Sequence, residues 1–196
     1  ALARTIARGI LGSDKKVEFV PVSASDRMMK LYSNEVDMII ATMSITPKRQ
    51  ELLDFSMPYH TAGQALLVNK GSSVKSLRDL NGKSAIIVFG STGETNLRTA
   101  VPNVGVIGYK NYIDAYKALK ARKADAIVAD DTILLGMALK DDSVVLLPKR
   151  YTKEHYAVAF RKGIESRDLI RAVNNVIDIE TRKGNLKKLK ADYGIK

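Results

Sequence analysis

Three clusters of residues in this chain have types and spacing suited to binding charged groups. The first is "TMSITPKR", Thr42 to Arg49. Thr42, Ser44 and Thr46 stand at the exit of an apolar run, and Thr46-Pro47 is a helix start signal, an N-cap followed by proline at the first helical position. Arg49 falls in the first turn of that helix. A helix N-terminus is already electropositive and favours anions, so a cation there is costly unless a negative group offsets it. Hydroxyls, helix N–H groups and a guanidinium at one place suit a small planar anion, which arginine grips bidentately. The alternative is that Arg49 pairs with Glu51 or Asp54 while the hydroxyls merely cap. The second cluster is "FGSTGETN", Phe89 to Asn96, where Thr92 and Gly93 open a helix after an apolar strand. It resembles an anion cradle but lacks the Gly-Lys-Ser/Thr ending of a P-loop; a plain strand-to-helix turn would look the same. The third is "ADAIVADDT", where Asp131 reads as the cap of a helix starting at Thr132. Asp130 is then one acid more than a cap needs, able to face a site and bind an ammonium or to remain a surface acid. Taken together, two anion-binding elements and one carboxylate would hold a zwitterion, with its carboxylate at Arg49 and its ammonium at Asp130.

The elements that must position these residues alternate between strand and helix, which argues for an α/β architecture. "VEFVPV" (Val17–Val22), "VDMIIAT", "GQALLVNKG", "SAIIVF", "VGVIGY", "ADAIVAD" and "HYAVAF" read as strands. "SDRMMKLYSN" reads as a short helix capped by Ser25 or Asp26, "SLRDLNGK" as a helical turn, and "YIDAYKALKAR" and "DTILLGMALKD" as helices. In the segment 166–184, Leu169, Ile170, Val173, Val176 and Ile177 share one helical face between a Ser166 cap and Gly184. A faint internal repeat sets "LYSNEVDMIIAT" (Leu31–Thr42) over "LKARKADAIVAD" (Leu119–Asp130), with Leu31/Leu119, Asp37/Asp125, Ile39/Ile127 and Ala41/Ala129 coinciding. The repeat suggests two similar lobes and makes Thr42 and Asp130 equivalent, just past the carboxyl ends of strands, where open α/β sheets bind ligands.

Composition narrows the function classes. The chain has no cysteine, which excludes disulfides, thiolate catalysis and thiolate-held zinc. Its two histidines make a histidine-rich metal site improbable, and no cofactor is implied. No apolar run is long enough to span a membrane, and no signal-peptide pattern is visible. The net charge of +11 invites a nucleic-acid reading. The basic residues are spread along the chain, however, with their densest group in "NLKKLKADYGIK", and no nucleic-acid-binding motif accompanies them. A solvated basic surface that steers an anionic ligand or partner is the plainer expectation, with no nucleic-acid partner. The chain opens inside a helical pattern, Leu2, Ile6, Ile10 and Leu11, as though sequence preceded it.

The segments "VDMIIATMSITPKRQELLDFSMPY", "GQALLV", "SLRDLNGKSAIIVFGSTGETNL", "KADAIVADD" and "YAVAFRKG" arrive in an order and spacing that resemble the type II periplasmic solute-binding proteins for polar amino acids, the extracytoplasmic receptors of ABC importers. The resemblance covers nearly the whole chain. It implies a clamshell of two α/β lobes joined by a two-strand hinge, with crossings near Gly63–Ala65 and Tyr156–Ala157. Lobe 1 would be residues 1–63 plus 157–196, and lobe 2 residues 64–156. It implies that Thr42, Ser44 and Arg49 bind the α-amino and α-carboxylate groups of an amino acid, that Gly93 gives a backbone N–H to the carboxylate with Thr92 nearby, and that Asp130 binds the ammonium. "SASDRMM" resembles the S-x-N-R form of some acidic amino acid or glutamine binders, which would bring Arg27 to the ligand side chain. Ala24 and Asp26 depart from that pattern at the usual serine and asparagine, and Phe89 stands where some members carry a polar or basic residue.

The implied function is capture of a polar L-amino acid, with glutamate, aspartate or glutamine favoured, in the periplasm or at the cell surface, for delivery to ABC transporter permease subunits. The family's first strand, an aromatic-bearing loop and the start of its first helix have no counterpart here. Lobe 1 is therefore expected to be incomplete, with an exposed pairing edge that self-association or a complementing segment would cover. Two other readings stand beside this one: a ligand-sensing domain of a receptor, and a dehydratase-like enzyme on the same fold. Catalysis would need a general acid or base, and Asp130 is the sole candidate, because His60 and His155 fall near the expected hinge.

Overall fold

A computed structural model describes residues 1–195. In chain order the elements are α1 (Leu2–Leu11), α2 (Arg27–Tyr32), α3 (Pro47–Leu52), β1 (Leu53–Phe55), β2 (His60–Ala62), β3 (Gln64–Asn69), β4 (Ser84–Val88), α4 (Gly93–Ala100), β5 (Gly105–Tyr109), α5 (Tyr112–Lys120), β6 (Ala126–Asp130), α6 (Asp131–Ala138), β7 (Val144–Leu146), β8 (Glu154–Tyr156), β9 (Ala159–Arg161), α7 (Arg167–Arg182) and α8 (Asn185–Asp192), with 3-10 turns at Leu77–Leu80 and Ile164–Ser166. They form two compact units. The first comprises Ala1–Val22, Arg27–Thr61 and His155–Lys196, the second Ser23–Asp26 and Ala62–Glu154. The chain passes from one unit to the other within β2 and again within β8, and these two strands pair with each other.

The second unit is built on a five-stranded sheet of order β5-β4-β6-β3-β7. β4 runs parallel to β5 and β6, while β3 is antiparallel to β6 and β7. Its strands are apolar almost without interruption because both faces are covered. The two-residue period of a strand divides each run. Leu67, Ile86, Val88, Ile127 and Ala129 pack on one face with Ala115, Leu119 and Leu134 of α5 and α6. Leu66, Val68, Ala85, Ile87, Ala126 and Val128 pack on the other with Leu97 of α4, Val74 and Leu80.

The first unit packs α1 and α7 around β9. Ile6, Val158, Phe160, Val173, Val176 and Ile177 form one cluster, and Leu31, Ile39, Met43, Leu53 and Ala159 another. The 166–184 helix is observed as α7, with Val173, Val176 and Ile177 buried and Leu169 and Ile170 packed beside them. Ser166 stands at its N-cap position, but its side chain makes no capping hydrogen bond.

Two expected strands of this unit are not formed. Val17–Val22 is extended but makes no backbone–backbone hydrogen bond, and the 36–41 segment makes a single bridge, in which Ile39 and Ala159 exchange N–H···O=C bonds of 2.9 and 3.0 Å. Alternating apolar residues describe a face; a strand also needs a neighbour for its polar backbone, and that neighbour is not set by local pattern. The two segments instead border, with α1, an apolar groove of about 420 Å³ lined in part by Ile10, Val17, Phe19, Val20, Met38 and Ile40. "HYAVAF" also differs from expectation, being β8 and β9 rather than one strand. Between them the backbone of Val158 is satisfied by Ser56, whose N–H donates to the Val158 carbonyl and whose Oγ accepts the Val158 N–H, both at 2.9 Å.

Amide hydrogen exchange should divide the chain accordingly. Leu66, Ile86 and Ile127 are expected to exchange only through cooperative opening of the second unit, whereas Val17–Val20 exchange at close to unstructured-peptide rates. Strong protection at Val17–Val20 would show a ladder that the fold described here lacks.

Candidate functional site

The sequence candidates divide between the units. In the first, Thr42 and Ser44 flank buried Met43 at the end of the extended 36–41 segment. Ser44 is itself buried and bridges to Tyr156. Their carbonyls are each taken by an arginine: Arg27 Nη1 donates to the Thr42 carbonyl at 2.9 Å, and Arg49 Nη1 to the Ser44 carbonyl at 2.8 Å. Both guanidiniums are thereby brought to the same three residues. Arg49 is further located by the helix start expected from Thr46-Pro47, since Thr46 Oγ1 accepts the Arg49 N–H at 3.2 Å and Pro47 is the first residue of α3. Asp54, one of the acids considered as an Arg49 partner, accepts the Gly163 N–H instead.

Arg27 is only 3% exposed, so it is a buried cation rather than a solvated helix residue. Tyr59 lies near it. Burial pushes the Tyr59 phenol well above its ordinary value, against an opposing pull from the Arg27 charge, and its hydroxyl donates to the Ala41 carbonyl at 2.6 Å. The expected cap of α2 at Ser25 or Asp26 is replaced by a reciprocal pair: Asp26 N–H donates to Ser23 Oγ, and Ser23 N–H donates to Asp26 Oδ1. This is the geometry of a capping box begun two residues earlier.

In the second unit Asp130 ends β6 opposite Gln64 of β3 and is 7% exposed. Asp131 is not the cap of α6; the cap position belongs to Asp130, whose side chain makes no capping hydrogen bond. The Asp131 carboxylate accepts from Arg150 Nε at 2.7 Å and from the Gly63 N–H at 3.3 Å. Of the two adjacent acids, one therefore holds the start of β3 in place and the other is buried at the strand end.

Thr92 and Gly93 open α4 as expected. The Gly93 N–H lies 3.3 Å from Ser91 Oγ. The loop before them depends on Gly90, which has φ of 78° and approaches Ala24 so closely that a Cβ would lie 2.3 Å from the Ala24 carbonyl oxygen. Phe89 lies over Gly108 of the neighbouring strand, where a Cβ would fall 2.2 Å from its ring.

Sequence reasoning missed the polar network behind Thr92. Glu154, 5% exposed, accepts from Thr92 Oγ1 (3.2 Å), Asn96 Nδ2 (3.1 Å) and Thr152 Oγ1 (2.9 Å), and Gln64 Nε2 donates to Thr92 Oγ1 at 2.8 Å. The available signal was alternation: in Glu154-His155-Tyr156 the acid shares the buried face with the tyrosine. No group of residues suited to holding a metal ion occurs among the described residues, and no helix among them is long and apolar enough to cross a membrane.

A buried guanidinium beside a second one, and a buried carboxylate at the end of a strand, are arrangements that bind charged ends of small solutes. The comparisons agree in kind. The model of the bacterial extracellular solute-binding proteins, family 3, matches residues 1–196. The glutamine-binding protein GlnH of a Bacillus subtilis ABC transporter is 38% identical over 192 residues, covering 97% of this chain and 66% of its own length. The L-cystine-binding protein TcyJ of Escherichia coli is 31% identical over 86% of this chain and 64% of its own. Among solved structures, an ancestral arginine-binding protein bound to glutamine superposes with a TM-score of 0.89 at 34% identity, over 98% of this chain and 84% of that one. The chain thus belongs to the family 3 bacterial extracellular solute-binding proteins and has their type II α/β fold. The family is extracytoplasmic, so the chain belongs in the periplasm or at the cell surface. It spans about two-thirds of the length of the curated relatives it matches.

Replacing Gly90 by Ala should destabilise the second unit by roughly 1–3 kcal/mol, because it forces a side chain into a left-handed conformation against a backbone carbonyl. Chemical denaturation measures this directly. A change below about 0.5 kcal/mol would show that the loop moves away from Ala24 at little cost.

Proposed function

We propose that this chain is the ligand-binding part of an extracytoplasmic receptor that captures a polar L-amino acid and delivers it to the permease subunits of an ABC importer. Arg49 and Arg27, with Thr42 and Ser44, take the α-carboxylate and part of the side chain. Asp130 takes the α-ammonium, and the Thr92–Gly93 turn contributes to the same solute. The observation that carries this reading is the pairing of an oriented guanidinium, Arg49 on the Ser44 carbonyl, with a buried carboxylate, Asp130, each at the exit of a segment that precedes a helix. A zwitterion is the small solute that needs both.

Glutamine is the first solute to test, because two relatives are named for binding it and a solved neighbour holds it. The chemistry is binding rather than turnover. The relatives are binding proteins, and a carboxylate that neutralises an ammonium serves as a counter-ion, not as a general base.

Calorimetry with glutamine and with glutaramate, which is glutamine without its α-amino group, tests the assignments. Arg49→Ala should weaken glutamine by at least about 30-fold, since it leaves a carboxylate without its charged partner. Asp130→Asn should weaken glutamine at least about tenfold more than glutaramate. Near-unchanged binding by the first variant, or equal weakening of both solutes by the second, would remove those residues from the site.

A further inference from the structure

The network behind Thr92 fixes the direction of its hydrogen bonds. A carboxylate only accepts, so the Thr92 hydroxyl must spend its single proton on Glu154 Oε2 at 3.2 Å. Gln64 must then turn its amide NH₂ toward Thr92 Oγ1 at 2.8 Å, because its carbonyl would meet a lone pair. The other Glu154 oxygen is held by Asn96 and Thr152, and Thr152 Oγ1 in turn accepts the Gln64 N–H at 3.0 Å. Glu154 is 5% exposed and Gln64 2% exposed, so water does not offer ready substitutes. Glu154 forms no ion pair among the described residues, and its charge is carried by hydroxyl and amide donors alone. Packing alone gives no reason to bury an acid at this position, since a neutral glutamine would fill the same space at lower desolvation cost.

We propose that Glu154 is a selectivity-determining residue that acts through Thr92: it fixes the half-buried Thr92 hydroxyl as a hydrogen-bond acceptor, so that the solute group meeting it must be an N–H donor and not a carboxylate. This rests on the amino acid receptor reading and narrows its solute class to side chains ending in a carboxamide or a cation, against glutamate and aspartate. It also revises the expectation that Thr92 donates to a carboxylate. Two effects act in the same direction. The hydroxyl has no second proton to give, and a solute carboxylate near it would meet the unneutralised charge of Glu154 behind it. A site that presents a fixed acceptor to a partner without a proton leaves both groups unsatisfied, which is how polar sites discriminate strongly between near-isosteres. Glu154 is a positioning residue, since it reaches the solute only through Thr92.

The test is the ratio of glutamate to glutamine dissociation constants at neutral pH, in the wild-type chain, Glu154→Gln, Thr92→Val and the double variant. The wild-type chain should prefer glutamine. Glu154→Gln supplies an amide that can donate to Thr92 and removes the charge, so it should lower that preference about tenfold or more. In the Thr92→Val background the same change should leave the ratio nearly unaltered. A purely structural role would weaken both solutes together and hold the ratio constant in Glu154→Gln, which overturns the proposal, as does a wild-type chain that binds glutamate as well as glutamine. Failure of the receptor reading looks different: no amino acid binds the wild-type chain, or Arg49→Ala and Asp130→Asn bind like wild type.

Discussion

Burial of charge is the constraint on which the site depends. A charged group removed from water costs several kcal/mol unless hydrogen bonds or an opposite charge replace the lost hydration. This chain buries a guanidinium, Arg27, in one unit and two carboxylates, Asp130 and Glu154, in the other. The hydrophobic clusters beside them would be as well packed by neutral residues. The local structure is arranged to meet the cost: the Thr42 carbonyl for Arg27, and three side-chain donors for Glu154. Charges held in this way cannot reorient toward solvent, so they meet a solute with fixed polarity and little reorganisation.

The two units meet this constraint on different scaffolds. In the second, a sheet covered on both faces ends β6 at Asp130, and β3 begins opposite it with Gln64. The Asp131–Arg150 ion pair and the hydrogen bonds between Asp131 and Gly63 tie the start of β3 to the start of α6. In the first, the candidate residues stand on an extended segment with one bridge to β9, and side chains rather than a ladder hold it: Arg27, Arg49 and Tyr59 each bond a carbonyl between Ala41 and Ser44. Removing one of those side chains therefore disturbs the segment as well as the site, whereas Asp130 sits on a strand that is paired along both edges.

The second unit was the more legible from sequence. Its strands are continuous apolar runs, its helices have caps such as Asn111 for α5, and its turns carry Gly71 and Gly82 at positive φ. Arg49 and Asp130 stood out because each is a charge where a strand gives way to a helix. What stayed hidden depends on partners distant in the chain. Val17–Val22 has the composition of a strand without a backbone partner, and Val158 interrupts β8 and β9 because Ser56 reaches it from 102 residues away. Glu154 reads as a surface acid between Lys153 and His155; only the fold brings Thr92 and Asn96 to it. The same blindness placed the cap of α6 at Asp131, because the Arg150 and Gly63 contacts that occupy that carboxylate are nonlocal.

Thermal unfolding of this chain against a panel of amino acids at millimolar concentration tests the central claim most directly, because a solute that binds only the native state raises stability by mass action, by about 2.7 kcal/mol at one hundred times its dissociation constant. The account predicts a midpoint that climbs with glutamine concentration and stays level with amino acids whose side chains are purely apolar. A chain that unfolds cooperatively at one temperature, whichever amino acid is present, would contradict it.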